Sequence, residues 1–152
     1  TGHCAWAADT GRVGVSVGYA WESPNQPGAL DARYPDGNFF LVGPQDEAPI
    51  NFHAPRHRFN HVGVSRDGQY FVCDCYAKGV PYHIALVVGN LRTGKHRTLL
   101  ADCGATGGCA GNSHPHPYFT ADNRHVIYNS DRSGICHVHA AQVTEEFLRS
   151  LE

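Results

Sequence analysis

A motif that occurs three times constrains the fold of this chain more than any other feature. Each copy begins with a histidine, places a hydrophobic residue three positions later and an aspartate six positions later, and then enters a turn. The copies start at His3, His61 and His116, which are 58 and 55 residues apart. A repeat of this length is typical of architectures that stack copies of one small unit. Identical spacing in three copies is hard to obtain by chance, so we expect three equivalent units.

The segments that follow each copy have the composition of β-strands. They alternate between apolar and polar residues, or they form short runs rich in β-branched and aromatic residues. Asp-Gly and Asp-Asn pairs tolerate positive φ and therefore suit the tight turns of hairpins. The predicted strands cover residues 12–19, 69–74, 84–88, 97–100, 125–130 and 135–140. Short antiparallel strands, four to a unit, predict the blades of a β-propeller.

The predicted fold class is therefore all-β, with about three propeller blades in one partial propeller domain (residues 1–152) and a short C-terminal helix. The blade-like units lie at approximately 1–50, 51–105 and 106–152, with a long Gly- and Pro-rich loop over 21–49. The helix is expected over 144–151, where Thr144 is an N-cap residue before two acidic residues. Because propellers close with about four to eight blades, we expect the chain to be the C-terminal part of a longer protein.

Composition argues against two classes of partner. A formal charge of −2 gives no electrostatic basis for binding nucleic acid or an anionic membrane. No apolar run approaches the roughly 20 residues that cross a bilayer. Among the six cysteines, Cys103 and Cys109 flank a Gly-rich loop and are a candidate pair. Cys73 and Cys75 are expected to face opposite sides of a sheet. We favour a reduced, cytoplasmic chain.

Histidines at the repeated position point to a metal site. The innermost strand of each blade borders the central channel, so His3, His61 and His116 are expected to converge near the propeller axis. His114 adds a second imidazole in the sequence His-Pro-His-Pro, which the prolines stiffen. An extended segment would place both of these histidines on one face. Three imidazoles with oxygen donors suit manganese, zinc or iron. The alternative is that these histidines bond the neighbouring blade's aspartate and only stabilise the repeat.

The other basic residues carry weaker hypotheses. His53 and His57 approach the second repeat from a loop and are candidates for the channel mouth. Arg56 and Arg58 are candidate clamps for a substrate carboxylate, since guanidinium binds carboxylate in a bidentate manner. Arg66 is a third such candidate, and all three are equally compatible with solvated surface charges. Surface or packing roles are expected for His83, His96, His125, His137 and His139.

Several segments together resemble the oligogalacturonate lyase family. Residues 113–122, Ser-His-Pro-His-Pro-Tyr-Phe-Thr-Ala-Asp, and residues 126–134 resemble that family's C-terminal blade. Gly2, His3 and residues 60–68 resemble the two preceding blades, so the resemblance covers nearly all of the chain in order. Its most specific part is His-Pro-His-Pro followed by the Ser-Asp-Arg turn. The turns alone are shared with many Tol-type propellers.

The resemblance implies a seven-bladed β-propeller that cleaves short, pectin-derived oligogalacturonides by β-elimination. It also implies bound Mn²⁺ or another divalent metal. On this basis His61, His114 and His116 correspond to the family's metal-binding histidines, and His3 corresponds to the histidine proposed as the base.

The family's fourth metal ligand is a glutamine three residues before the first histidine of the pair. That position is Gly111 in this chain, which has no side-chain donor. Either Asn112 or a water molecule would take this place. The catalytic arginine of the family lies upstream, outside this chain.

The residue types suit the implied reaction. Elimination removes the proton on the carbon beside the uronate carboxylate, and a divalent cation bound to that carboxylate stabilises the developing charge. A neutral histidine is a suitable base, because its ordinary pKa of about 6.5 lies near working pH. A metal ion nearby should also keep His3 deprotonated.

Two other functions compete with the lyase hypothesis. A non-catalytic, Tol-like propeller that binds protein gives no reason for the aligned histidines. A propeller that supports a hydrolase domain predicts a nucleophile motif, and no Gly-x-Ser-x-Gly sequence occurs here.

Overall fold

Three antiparallel sheets and one short helix make up the described part of the chain. The computed structural model describes residues 3–16, 39–54, 57–76, 83–106 and 113–152. Consecutive strands are neighbours in every sheet, as in the meander of a propeller blade. The predicted fold class, propeller blades with a short C-terminal helix, is confirmed. Within these ranges no helix has the length and apolar character needed to cross a membrane.

The first sheet contains four strands in sequence order. They are β1 (Cys4–Trp6), β2 (Val13–Ser16), β3 (Phe39–Val42) and β4 (Ile50–Phe52). The prediction of a loop over 21–49 is wrong at β3, while residues 21–38 lie outside the described residues. Phe39 and Leu41 alternate into the core, and this short apolar run pairs with β2. Four residues were too few to stand out against the surrounding Gly- and Pro-rich sequence.

The second sheet also contains four strands in sequence order, joined by tight turns. They are β5 (Phe59–Val64), β6 (Tyr70–Tyr76), β7 (Ile84–Asn90) and β8 (His96–Leu100). The register between β5 and β6 is irregular: Phe59 lies opposite Cys75, whereas Val62 lies opposite Cys73. Between these two pairs, β5 advances by three residues while β6 advances by two. This β-bulge falls at Asn60 and His61.

The third sheet has three strands in the described part of the chain, one fewer than the four expected per blade. They are β9 (Tyr118–Phe119), β10 (His125–Ser130) and β11 (His137–Gln142), with β10 in the middle. Helix α1 (Glu145–Arg149) follows at the predicted place, and the Thr144 side chain accepts a hydrogen bond from the Phe147 amide at 3.1 Å. Leu151, just after the helix, is fully buried.

The central strands β6 and β7 of the middle sheet are buried on both faces, and this explains their nearly continuous apolar sequences. One face packs with the first sheet around a group of stacked and edge-on rings at Phe39, Phe52, Phe59 and Phe71. The other face packs with the third sheet and with Leu151. The two cores hold the inner strands β1, β5 and β9 side by side.

The cysteines of the described segments are free thiols. Cys103 does not pair, and its candidate partner Cys109 lies outside the described residues. The expectation that Cys73 and Cys75 face opposite sides is wrong. Both thiols pack into the core with the first sheet, because residues two apart on a strand share a face. Burial raises the pKa of Cys75 to about 11.

Candidate metal centre

The inner strands of the second and third sheets approach each other with no room for a side chain between them. A Cβ on Gly63 would lie 2.5 Å from the carbonyl oxygen of Pro117 and 2.9 Å from the Cα of Tyr118. Glycine is therefore required at this point of β5. The close approach brings His61, two residues earlier on β5, next to the histidines that precede β9.

Three histidines form a group that can hold a metal ion. One ligand atom from each of His61, His114 and His116 lies within 4.8 Å of the other two. The ring centroids of His61 and His116 are 3.8 Å apart, and those of His61 and His114 are 5.1 Å apart. His61 is buried, His114 is half-buried and His116 is exposed. The group is thus closed on the side of the middle sheet and open on the other.

A turn, rather than an extended strand, brings His114 and His116 to this group. His116 has a φ of 43°, in the left-handed region that few residues other than glycine adopt. The segment is therefore not extended at His116, yet both rings reach the same group. Asn129 on β10 holds the turn: its amide donates to the Pro115 carbonyl at 2.8 Å, and its side chain donates to the His114 carbonyl at 3.3 Å.

His3 is the fourth ring at this place, although it lies outside the group of three ligands. Its ring centroid is 4.2 Å from that of His61. The backbone of His3 is tied to Ser16 on β2, whose amide donates to the His3 carbonyl at 2.8 Å. The buried Ser16 hydroxyl also donates to the Asn60 carbonyl, beside His61. Ser16 therefore links the first sheet to the second directly beneath the histidines.

The surroundings favour neutral imidazoles. Burial lowers the pKa of His3 below its ordinary value, and the neighbouring His61 ring lowers it further. Burial and the same neighbour lower the pKa of His116. Neutral imidazole is the form that binds metal ions and accepts protons, so both residues are biased toward the state that either role needs.

Asp74 is the residue at this site that sequence reasoning missed. It is completely buried on β6 and bonds His61 twice. Oδ1 accepts from the His61 amide at 2.6 Å, and Oδ2 lies 2.7 Å from His61 Nδ1. The available signal was a charged residue in the middle of the apolar strand Tyr-Phe-Val-Cys-Asp-Cys-Tyr. A carboxylate at such a position requires a hydrogen-bonding partner.

One alternative was that the repeated histidines bond the aspartates of neighbouring blades. The repeated aspartates have other partners. Asp67 accepts from the Ser65 hydroxyl at 2.6 Å within its own turn, and from the Asn123 side chain at 3.1 Å in the next blade's turn. Arg66 pairs with Asp9 of the preceding turn at 2.9 Å. The aspartates therefore join turn to turn, whereas His61 bonds an aspartate of its own sheet.

The remaining predicted residues are placed as follows. Arg58 lies just before β5, where its amide and its charge both act on the buried Cys75 thiol. The ring of His57 packs against His96 of β8, with 4.7 Å between centroids, and lies 5.7 Å from the ring of Phe59 on β5. His53 is exposed after β4. Arg56, Gly111 and Asn112 lie outside the described residues.

The histidines fit a divalent transition metal. Two nitrogens bound to one such ion are at most about 4.2 Å apart. The ligand atoms of this group lie within 4.8 Å of one another, so the rings need to move inward only slightly to bind an ion. His61 has Nδ1 occupied by Asp74, which leaves Nε2 for a metal. Imidazole is a more usual ligand for zinc than for manganese, which prefers oxygen donors. The histidines alone do not select one metal.

Comparison with solved structures agrees with the propeller fold. The chain superimposes on an oligogalacturonate lyase from Vibrio parahaemolyticus with a TM-score of 0.63 and 19% identity, covering 95% of this chain and 36% of the lyase. It superimposes on TolB from Acinetobacter baumannii with a TM-score of 0.59 and 16% identity, covering 93% of this chain and 29% of TolB. The chain thus spans about a third of the length of these structures, and the likeness is one of fold.

No protein-family model matches the sequence, and no curated protein matches it.

Proposed function

We propose that this chain forms part of a metal-dependent lyase that cleaves oligogalacturonides by β-elimination and uses Mn²⁺ or another divalent ion. The observation that carries the proposal is the convergence of His61, His114 and His116, with the ring of His3 against them. The His-Pro-His-Pro resemblance and the fold likeness to an oligogalacturonate lyase support the same function.

Each histidine has a role in this proposal. His61, His114 and His116 hold the metal, which when bound supplies Lewis-acid stabilisation of the substrate's carboxylate. His3 is the base: a ring nitrogen accepts the proton from the carbon beside the carboxylate. The lowered pKa of His3 suits this role, because it keeps the ring neutral at neutral pH. Its exposed position leaves the ring accessible to a substrate.

Other residues complete the proposed site. Arg58 and Arg56 are proposed to bind further carboxylates of the oligomer, whose repeating unit carries one negative charge. Asn112 or a water molecule is proposed as an additional metal ligand, because Gly111 offers no donor.

The test is product formation from digalacturonate in the presence of MnCl2. A lyase generates a 4,5-unsaturated uronate, which is detected by its ultraviolet absorbance. We expect this absorbance to grow with the wild-type protein and to be lost with His3→Ala. His125→Ala is the matched control, since His125 is an exposed residue of β10. No product from the full-length wild-type protein would refute the lyase assignment.

A non-catalytic, Tol-like binding module is the second candidate, favoured by the fold likeness to TolB. The two functions differ in what they require of the histidines. A binding module predicts neither Mn²⁺ binding at His61 nor any unsaturated product, whereas the lyase predicts both.

A further inference from the structure

We propose that Asp74 is a positioning residue that holds His61 in the one tautomer able to bind a metal. This inference rests on the metal site of the proposed function, and it assigns a role to a buried carboxylate that the proposed reaction does not otherwise use. Asp74 bonds both the amide and the ring of His61, so it acts on this candidate ligand directly.

The β-bulge creates the contact. At a bulge the extra residue loses its regular ladder bond and its side chain is re-aimed. The bulge on β5 falls at Asn60 and His61, which together lie across from Asp74 on β6. Oδ1 of Asp74 satisfies the His61 amide at 2.6 Å in place of a backbone carbonyl. One carboxylate therefore fixes both the backbone and the ring of His61.

Hydrogen-bond chemistry then sets the tautomer. An ionised carboxylate only accepts, so His61 Nδ1, 2.7 Å from Oδ2, must carry the proton. Nε2 is left with a lone pair for a metal. The side chain of Asn60 competes, because its Nδ2 lies 3.3 Å from the same Nδ1 and would act as a donor to it. The shorter, charge-assisted bond to Asp74 prevails.

The environment makes the arrangement rigid. Asp74 has no exposed surface, and His61 is 6% exposed, so water does not compete for either partner. Asp74 lies opposite Leu86 in the central pairing of β6 with β7, which fixes its backbone. Partners of this kind orient metal-binding histidines, and their loss typically lowers metal affinity about 10- to 100-fold.

The variant Asp74→Asn separates positioning from simple structural support. Asparagine keeps the shape, and its carbonyl oxygen still accepts from the His61 amide. Its NH2 group now faces Nδ1, which must become the acceptor, so the proton moves to Nε2. A protonated Nε2 is no metal ligand. The matched control is Asp67→Asn, the same chemical change in an exposed turn.

The tautomer of His61 and the affinity for Mn²⁺ are measured separately. Nitrogen chemical shifts of the His61 ring, measured on the metal-free protein, are expected to show protonated Nδ1 in wild type and in Asp67→Asn. Asp74→Asn is expected to show protonated Nε2. Calorimetric titration with MnCl2 is expected to give an affinity about 10- to 100-fold lower for Asp74→Asn, with the control unchanged. Circular dichroism checks that both variants are folded.

The results distinguish this inference from the lyase proposal. The same His61 tautomer in wild type and Asp74→Asn, or equal Mn²⁺ affinities, would overturn the role of Asp74. A tautomer change with reduced Mn²⁺ affinity supports it, even when digalacturonate yields no unsaturated product. That last outcome would refute the lyase and leave the positioning of His61 by Asp74 intact.

Discussion

Strand β5 and the turn at residues 113–117 supply the same chemical group by different means. β5 presents His61 from inside a buried sheet, with both its amide and its ring bonded to Asp74. The turn presents His114 and His116 through proline-restricted backbone and a left-handed residue, and hydrogen bonds from Asn129 hold it in place. One ligand lies within a sheet, whereas the other two lie on a segment outside the strands, between buried residues at 113, 115 and 117.

The difference predicts where the metal site is most easily broken. Changes of His114 and His116 should alter metal binding with little effect on folding, because neither side chain belongs to either core. Changes where β5 touches the turn should alter both. Changes at the turns that join neighbouring blades should alter neither by much.

Removing the two turn histidines is expected to have the largest effect. His114→Ala combined with His116→Ala leaves His61 as the sole imidazole of the group of three. Mn²⁺ affinity should fall by more than the roughly 100-fold that is typical when a residue hydrogen-bonded to a metal ligand is lost. Calorimetric titration measures this, and the unfolding temperature should stay close to that of wild type. Metal content equal to that of the His125→Ala control would contradict the ligand assignment.

Filling the gap between β5 and the turn is expected to damage folding and metal binding together. In Gly63→Ala the new methyl would meet the Pro117 carbonyl at 2.5 Å, so the two inner strands must move apart. Overpacking of this kind costs about 1–3 kcal/mol of unfolding free energy. Thermal unfolding and Mn²⁺ titration check both effects.

Gly14→Ala is the comparison for this variant, since its methyl would press on the Phe39 ring at 3.0 Å, within the first core. It should lower stability but retain Mn²⁺ affinity. Unaltered Mn²⁺ affinity in Gly63→Ala would show that the approach of the strands does not set the site.

Loosening the turn from β10 is expected to have a smaller effect. Asn129→Ala keeps the backbone bond to the Pro115 carbonyl and loses only the side-chain bond to His114. One such bond contributes about 0.5–1.5 kcal/mol, so Mn²⁺ affinity should fall by less than about 10-fold. Titration of this variant and of Asp74→Asn with Mn²⁺ shows which of the two residues matters more for metal binding. A greater loss of Mn²⁺ affinity in Asn129→Ala than in Asp74→Asn would contradict this account.

The smallest effect is expected at the exposed ion pair between blades. Arg66 and Asp9 have side chains 68% and 71% exposed, and pairs in this setting contribute between about 0 and 1 kcal/mol. Arg66→Ala should therefore shift the free energy of unfolding by less than about 1 kcal/mol and leave Mn²⁺ binding unchanged. A clear loss of metal binding would show that Arg66 acts at the site.

The repeat predicted much of this architecture because it carries long-range information. The shared internal spacing of the motif predicted equivalent places for His3, His61 and His116, at or just before neighbouring inner strands, and the structure brings their rings together. Local patterns also located α1, since its cap and its apolar spacing act within a few residues.

The rest depended on contacts that no local pattern encodes. The partnership of Asp74 with His61 arises from a bulge in the pairing of two strands. The left-handed turn at His116 overrides the extended preference of a residue before proline. β3 is a strand because Phe39 and Leu41 meet the core of the first and second sheets.

Anomalous diffraction from crystals of the protein soaked in MnCl2 tests the central claim most directly. The account predicts one manganese peak enclosed by His61, His114 and His116, bonded to Nε2 of His61, with His3 beside it but unbound. A peak elsewhere, or none at this group under conditions where the crystal contains manganese, would contradict it.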